Sequence, residues 1–113
     1  MATAEQLQQG AKARVVLAFA HRSMRDAFRR MLATRSDLEL AGAADDSATA
    51  LDLVERTKPD VLILDEYLPD FSNIDLAAAV YSGHPATRVV LAVRDGVARD
   101  PKQARLATLT VPL

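Results

Sequence analysis

Asp65 is the residue of this chain that is best placed to do chemistry. It follows four consecutive aliphatic residues, Val61 to Leu64, and precedes a turn that contains Pro69. An unbroken apolar run of this length is typical of a strand buried on both faces of a parallel sheet. We therefore expect Asp65 at the carboxyl end of that strand, which is the edge of an open α/β sheet where ligands bind.

Few other side chains are placed to share that chemistry. Glu66 and Asp70 could join Asp65 in an acidic cluster, although we expect two of the three to be solvated. The two histidines, His21 and His84, share no metal-ligand spacing with other candidate ligands, so no metal site is predicted. Asp65 also has a structural interpretation, as a strand-end carboxylate that accepts hydrogen bonds from backbone N–H groups.

The elements that would position Asp65 alternate along the chain. One apolar stripe with helical spacing contains Met24, Phe28 and Leu32, with Ser23 as the expected N-cap. A second helix is predicted to begin at residue 46 or 47 and to end at Pro59, and a third to cover 74–81. Strands are predicted over 14–19, 38–43, 61–65, 88–93 and 106–111. This alternation predicts an α/β fold with a doubly wound, parallel, five-stranded sheet.

Composition limits the class of protein. The 113 residues suffice for one domain, which we expect over 14–113 after a flexible arm over 1–13. A net charge of −1 gives no reason to expect direct binding to nucleic acid or to a membrane. The absence of cysteine excludes disulfides and thiol chemistry and is compatible with a cytoplasmic protein. No apolar stretch approaches the roughly 18 residues of a membrane span.

Charge is distributed unevenly along the chain. Residues 12–35 contain seven basic side chains against one acidic side chain, Asp26, whereas residues 45–75 contain nine acidic side chains against two basic ones. This asymmetry predicts a basic first helix and an acidic rim around Asp65. Arg22, Arg25 and Arg29 lie on one face of that helix, where they could contact a partner, although a solvated face is the favoured interpretation.

Several short segments occur in an order and at a spacing that one known family shares. They are RVVLA at 14–18 with His21 and Arg25, Asp46 after the second strand, PDVLILD at 59–65 with Leu68 and Pro69, and RVVL at 88–91 after His84 and Pro85. Together they resemble the receiver domain of two-component response regulators, in the form that usually precedes a C-terminal helix-turn-helix. The resemblance covers residues 14–112 and implies a doubly wound five-stranded fold.

The resemblance also has implications for chemistry, residue by residue. The family phosphorylates an aspartate at the end of the third strand, and Asp65 holds that position. The family binds a divalent ion through an acidic pair after the first strand, where this chain has Phe19 and Ala20, which offer no hard oxygen ligand. Val93 replaces the hydroxyl residue that ends the fourth strand, and Val111 replaces the lysine that ends the fifth. The resemblance therefore implies a phosphoacceptor position, with low occupancy expected, in a degenerate pocket.

Two functions are compatible with a phosphoacceptor position in a pocket that lacks the family's other polar residues. The first is an atypical receiver, without cofactor or enzymatic activity, that acts in signal transduction through protein–protein contacts. The alternative is a functional phosphoreceiver that a histidine kinase phosphorylates on Asp65, with metal ligands recruited from elsewhere. A nucleotide-binding enzyme is not favoured, because no glycine-rich loop follows the first strand.

The altered pocket and the end of the chain lead to two structural expectations. Phe19, Val93 and Val111 should converge beside Asp65, unless Phe19 is simply a half-exposed core aromatic. No final helix is predicted after 106–111, so we expect a homodimer that buries Leu106, Leu109 and Val111. A competing interpretation folds the arm over the same gap, and a partner protein or an effector domain is also expected.

Overall fold

A computed structural model describes residues 12–70, 73–93 and 107–110 of the chain. Its strands are β1 (Ala13–Ala18), β2 (Leu38–Ala44), β3 (Val61–Asp65), β4 (Arg88–Val93) and β5 (Ala107–Thr110). Its helices, within these residues, are α1 (Arg22–Ala33), α2 (Ser47–Thr57) and α3 (Asn73–Gly83). All neighbouring strands are parallel and lie in the order β2-β1-β3-β4-β5. The predicted five-stranded parallel sheet is therefore confirmed.

Helices cover both faces of this sheet, and alternate residues of β1 pack against them. Val15 and Leu17 belong to a buried cluster with α1, whereas Val16 and Ala18 belong to a second cluster with α2 and α3. Because successive side chains of a strand point to opposite faces, the two clusters lie on opposite sides of the sheet. This arrangement confirms the doubly wound architecture.

The predicted element boundaries agree with the structure to different degrees. The bounds of β3 and β4 are as predicted, and β1 begins one residue early, because Ala13 N donates to Asp37 O at 3.0 Å beside the start of β2. The prediction of Ser23 as an N-cap is wrong. The carbonyl of His21 accepts hydrogen bonds from the N–H groups of Met24 and Arg25, both at 3.2 Å, so Ser23 lies inside α1.

Helix α2 has the ends that its sequence predicts. The side chain of Asp46 accepts a hydrogen bond from Thr49 N at 2.7 Å, which satisfies one of the free N–H groups of the first turn. The helix ends at Thr57, and Lys58 follows with a φ of 48°, a left-handed conformation that terminates helices. Pro59 then leads into β3.

The start of β3 is joined to both neighbouring strands by polar contacts. Asp60 Oδ2 accepts a hydrogen bond from Arg14 N at 2.8 Å, and Asp60 N donates to Arg14 O at 2.9 Å. Arg88 N donates to Asp60 O at 2.9 Å. Thr87, which is buried, donates from Oγ1 to Pro59 O at 2.7 Å. We call this region, residues 57–60 with Arg14, Thr87 and Arg88, the amino edge of the sheet.

None of the helices among the described residues has both the length and the apolar character that crossing a bilayer requires.

Candidate functional site

Asp65 lies where its sequence context predicts, as the last residue of the central strand. Its Cα is paired with that of Ala92 in β4, and the residue is only 5% exposed. Its Oδ1 accepts a hydrogen bond from the N–H of Glu66 at 2.8 Å. The carboxylate is thus held at the carboxyl edge of the sheet by the backbone that follows it, as its structural interpretation expects.

The three acidic residues of this loop differ in exposure from what the sequence indicates. Glu66 is 4% exposed and Asp65 is also buried, so only Asp70 is exposed. The expectation that two of the three are solvated is therefore wrong. Glu66 follows the central strand directly and remains within its buried surroundings.

Asp70 connects this loop to helix α2. Its Oδ1 accepts a hydrogen bond from Ser47 N at 2.8 Å, and its Oδ2 accepts one from Ala48 N at 2.9 Å. Together with Asp46, which binds Thr49 N, it satisfies three successive N–H groups at the start of the helix. A carboxylate in this position also interacts favourably with the helix dipole. Sequence reasoning missed this contact, since 22 or more residues separate the partners.

Phe19 follows β1 directly and is a fully buried core residue. It has no solvent exposure, and its ring stacks on that of Phe28 with a centroid distance of 4.8 Å and an interplanar angle of 24°. Aromatic pairs at this distance attract each other in addition to burying apolar area. The alternative of a half-exposed aromatic is therefore wrong, because α1 covers the ring.

Arg25 holds the turn between β1 and α1. Its Nη1 donates to Phe19 O at 2.8 Å and to Ala20 O at 3.1 Å. The side chain is half-buried, so it is neither a simply solvated group nor a freely presented docking residue. Arg25 is one of the residues that carry the family resemblance. Residue spacing alone does not predict its contact with these carbonyls, which depends on how the turn folds back.

The structure does not bring Phe19 and Val93 into one apolar cluster. Val93 ends β4 with no exposure and packs in the cluster of α2 and α3, while Phe19 packs in the cluster of α1. Ala20 is half-buried beside Phe19. Val111 and Leu106 lie outside the described residues, and the side chain of Leu109 does too. Convergence with Val111 and the dimer interface therefore remain predictions.

The residues at this edge do not form the metal site that the family resemblance implies. The positions of its acidic pair contain a phenyl ring in the core and a half-buried methyl group. Mg²⁺ needs hard oxygen ligands in a near-octahedral shell. Among residues 12–70, 73–93 and 107–110, no group of three or more histidine, aspartate or glutamate side chains could hold a metal ion.

Comparisons with known proteins identify the fold and the family. The signal receiver domain of the response regulator NarL from Mycobacterium tuberculosis superposes with a TM-score of 0.77 at 32% identity, covering 88% of this chain and 84% of that one. The response regulator domain of Thermotoga maritima CheB has a TM-score of 0.78 at 22% identity, covering 89% of this chain and 79% of that domain, which supports the fold alone.

Similar sequences belong to longer proteins. The transcriptional regulatory protein NarL of Mycobacterium tuberculosis is 39% identical over 83 residues, which are 74% of this chain and 38% of that protein. The transcriptional regulatory protein YxjL of Bacillus subtilis is 34% identical over 80 residues, or 71% of this chain and 37% of that protein. No protein-family model matches the chain. The NarL receiver structure, matched over most of its length, shows that this chain belongs to the receiver-domain family of two-component response regulators.

Proposed function

We propose that this chain is an atypical receiver domain that acts in cytoplasmic signal transduction through protein–protein contacts. In this proposal it is not an enzyme and does not use a Mg²⁺-dependent aspartyl-phosphate switch. One observation supports this most strongly. Phe19, at the position where the family is expected to have a metal-binding carboxylate, is fully buried and stacked on Phe28.

Charge neutralisation is the reason why that position matters. Phosphoryl transfer depends largely on positioning and on stabilising the charge of the transferred group, which a divalent ion usually provides. The side chains of Phe19 and Ala20 supply no oxygen ligand, and Val93 supplies no hydroxyl at the end of β4. Asp65 would therefore have to accept a phosphoryl group without three of the polar groups that the family uses.

Thermal unfolding with beryllofluoride, a mimic of the phosphoryl group, tests the proposal. A ligand at 100 times its Kd stabilises the folded state by about 2.7 kcal/mol, which is on the order of 10 °C in Tm for a domain of this size. We expect no shift when Mg²⁺ and beryllofluoride are added together. The matched control is Asp65→Asn, which removes the phosphoacceptor and should give the same result as the wild-type chain.

A Tm increase in the wild-type chain that Asp65→Asn abolishes would contradict the proposal. The double substitution Phe19→Asp with Ala20→Asp adds a gain-of-function arm. If the two apolar residues are what prevents metal binding, this variant should gain a Mg²⁺-dependent shift, provided that circular dichroism shows it to be folded.

A functional phosphoreceiver is the second candidate, because Asp65 and Glu66 are buried together at the carboxyl edge in a member of this family. Incubation with acetyl phosphate and Mg²⁺, followed by intact-protein mass spectrometry, distinguishes the two candidates. The atypical receiver should gain no phosphoryl group. Substantial addition of one phosphoryl group, located at Asp65 and absent in Asp65→Asn, would establish the second candidate.

The partners of the domain are also proposals. The relatives named transcriptional regulatory proteins are longer, and this chain spans 37% and 38% of two of them. These lengths support an effector domain as a partner. We also propose that the receiver itself does not contact nucleic acid.

We further propose a homodimer that buries Leu106, Leu109 and Val111. Analytical ultracentrifugation at micromolar concentration should give a dimer mass, which Leu109→Glu should reduce to that of a monomer; a monomeric wild-type chain would contradict it.

A further inference from the structure

A groove lies on the α1 side of the molecule, away from the carboxyl edge. It has a volume of about 370 Å³ and runs between the last turns of α1 and the first half of β2. Its apolar lining consists of Leu32, Ala33, Leu38 and Leu40. Leu38 and Leu40 are half-buried against the α1 cluster, so part of each side chain remains accessible.

Three cations complete the lining, and none of the acidic side chains that the structure describes contributes to it. They are Lys12, Arg29 and Arg35, and all three are exposed. Arg35 is already paired with Asp37, with Nη2 and Oδ2 at 2.8 Å. Lys12 and Arg29 form no ion pair with any residue in the described part of the chain. The groove therefore combines an apolar floor with two positive charges available for a ligand.

The strand beside the groove lies at the edge of the sheet that the described residues form. β2 is the first strand in the sheet order and has β1 as its neighbour on one side. Edge strands present backbone N–H and C=O groups that can pair with an extended peptide. In an extended peptide, residues i and i+2 point to the same side, so acidic and aliphatic residues at every second position would both face the groove.

We propose that this groove binds an extended acidic segment of a partner protein, in which carboxylate and aliphatic side chains share one face by taking turns at every second residue. The carboxylates pair with Lys12 and Arg29, and the aliphatic side chains cover Leu38 and Leu40. The complementary charge identifies the occupant, because a basic or purely polar segment would leave the cations or the apolar floor uncompensated. This surface functions independently of the chemistry at Asp65.

Fluorescence anisotropy tests the proposal with a short dye-labelled peptide, the glutamate–leucine peptide. Glutamate and leucine take turns at every second position of this peptide, and threonine fills the positions between them. The double variant Lys12→Glu with Arg29→Glu reverses both available charges. The matched control, Arg30→Glu with Arg88→Glu, changes net charge equally at exposed residues that do not line the groove. Loss of charge-assisted contacts should weaken binding by about tenfold or more in the groove variant, and by no more than about threefold in the control.

Two control peptides separate charge from shape. In the serine peptide, serine replaces every leucine, so the charge is retained but the leucines of the groove are not covered, and binding should be at least about tenfold weaker. A peptide in which lysine replaces every glutamate should not bind. The proposal is overturned if the glutamate–leucine peptide does not bind, if both double variants weaken binding equally, or if the serine peptide binds as well as the leucine peptide.

Discussion

The two ends of the central strand each have a carboxylate, and they are stabilised by different means. At the amino edge, Asp60 joins β3 to both neighbours, through Arg14 N at 2.8 Å and through Arg88 N, which donates to its carbonyl at 2.9 Å. At the carboxyl edge, Asp65 accepts a hydrogen bond from its own neighbour, Glu66 N. Around it, the ends of β1 and β4 are apolar and fully buried.

This difference separates an edge whose polar groups connect neighbouring strands from an edge whose surroundings are mainly apolar. Polar groups at the amino edge connect strands. Removal of one such group should therefore lower the free energy of unfolding by the contribution of one buried or partly buried hydrogen bond. The carboxyl edge is stabilised mainly by apolar burial at the end of β1, so its stability should respond to lost volume. The cost of removing an aromatic ring from a core is the larger of the two.

The largest effect is expected from Phe19→Ala. The ring is fully buried and stacked on Phe28, and truncation of a buried phenylalanine costs about 3–5 kcal/mol of unfolding free energy. Urea denaturation measures this loss. Tyr67→Ala is the control, because Tyr67 is 56% exposed on the adjacent loop and should change the free energy by less than about 0.5 kcal/mol. A cost below about 1 kcal/mol for Phe19→Ala would mean that the carboxyl edge does not depend on this ring.

A smaller effect is expected at the amino edge from Thr87→Val. The substitution preserves shape but removes the hydroxyl that donates to Pro59 O at 2.7 Å in a buried position. Leaving that carbonyl without its partner should cost about 1–3 kcal/mol. Thr34→Val is the matched control, since Thr34 Oγ1 donates to Met31 O at 2.7 Å on the surface, where water can replace it. Equal costs for the two variants would remove the distinction between buried and exposed contacts.

Asp70→Ala should lower the free energy of unfolding by about 1 kcal/mol, which is less than Phe19→Ala. The reason is that water can partly replace an exposed carboxylate at the start of a helix. Hydrogen exchange gives the sharper measurement. The amides of Ser47 and Ala48 should exchange faster in Asp70→Ala, whereas that of Thr49, bound by Asp46, should not. Asp70→Asn retains an acceptor oxygen and should protect one of the two amides in part. Unchanged exchange at both amides would contradict the contact.

The fold was predictable where the sequence signal is local and strong. The bounds of β3 and β4 follow from uninterrupted aliphatic runs, and the Asp46 cap and the end of α2 before Pro59 follow from short-range preferences. The start of α1 was not predictable in this way. Ser23 has the right side chain for a cap, but the helix begins at Arg22, and Arg25 holds the preceding turn through the carbonyls of Phe19 and Ala20.

The site was predictable in position but not in arrangement. The end of an apolar strand placed Asp65 at the carboxyl edge, as observed. The assignment of Phe19 and Val93 to opposite faces depends on the pleat and pairing register of β1, β3 and β4 together, which no single segment determines. The contact of Asp70 with α2 joins residues distant in sequence, so local patterns contain no information about it.

The smallest effect is expected beside the amino edge, from the ion pair of Arg35 and Asp37. The two side chains are 57% and 59% exposed, and exposed pairs contribute little to stability. The hydrogen bond from Arg35 is the largest cause that lowers the pKa of Asp37 below its ordinary value of 3.8. Because the folded-state pKa lies below the unfolded-state value, the carboxylate stabilises the folded state at neutral pH. That contribution is lost as the pH falls through the folded-state pKa.

Asp37→Asn should therefore lower the urea midpoint slightly at pH 7, and this difference from the wild-type chain should shrink as the pH falls through the folded-state pKa of Asp37 and the wild-type carboxylate becomes protonated. High salt at pH 7 should reduce the difference, since exposed charges are screened. Ala13 N would still donate to the carbonyl of residue 37, because that bond involves only the backbone. A difference that does not shrink as the pH is lowered would show that the charge is not its cause. A loss at pH 7 as large as that of Thr87→Val would show that the amino edge depends on surface charge as much as on its hydrogen bonds.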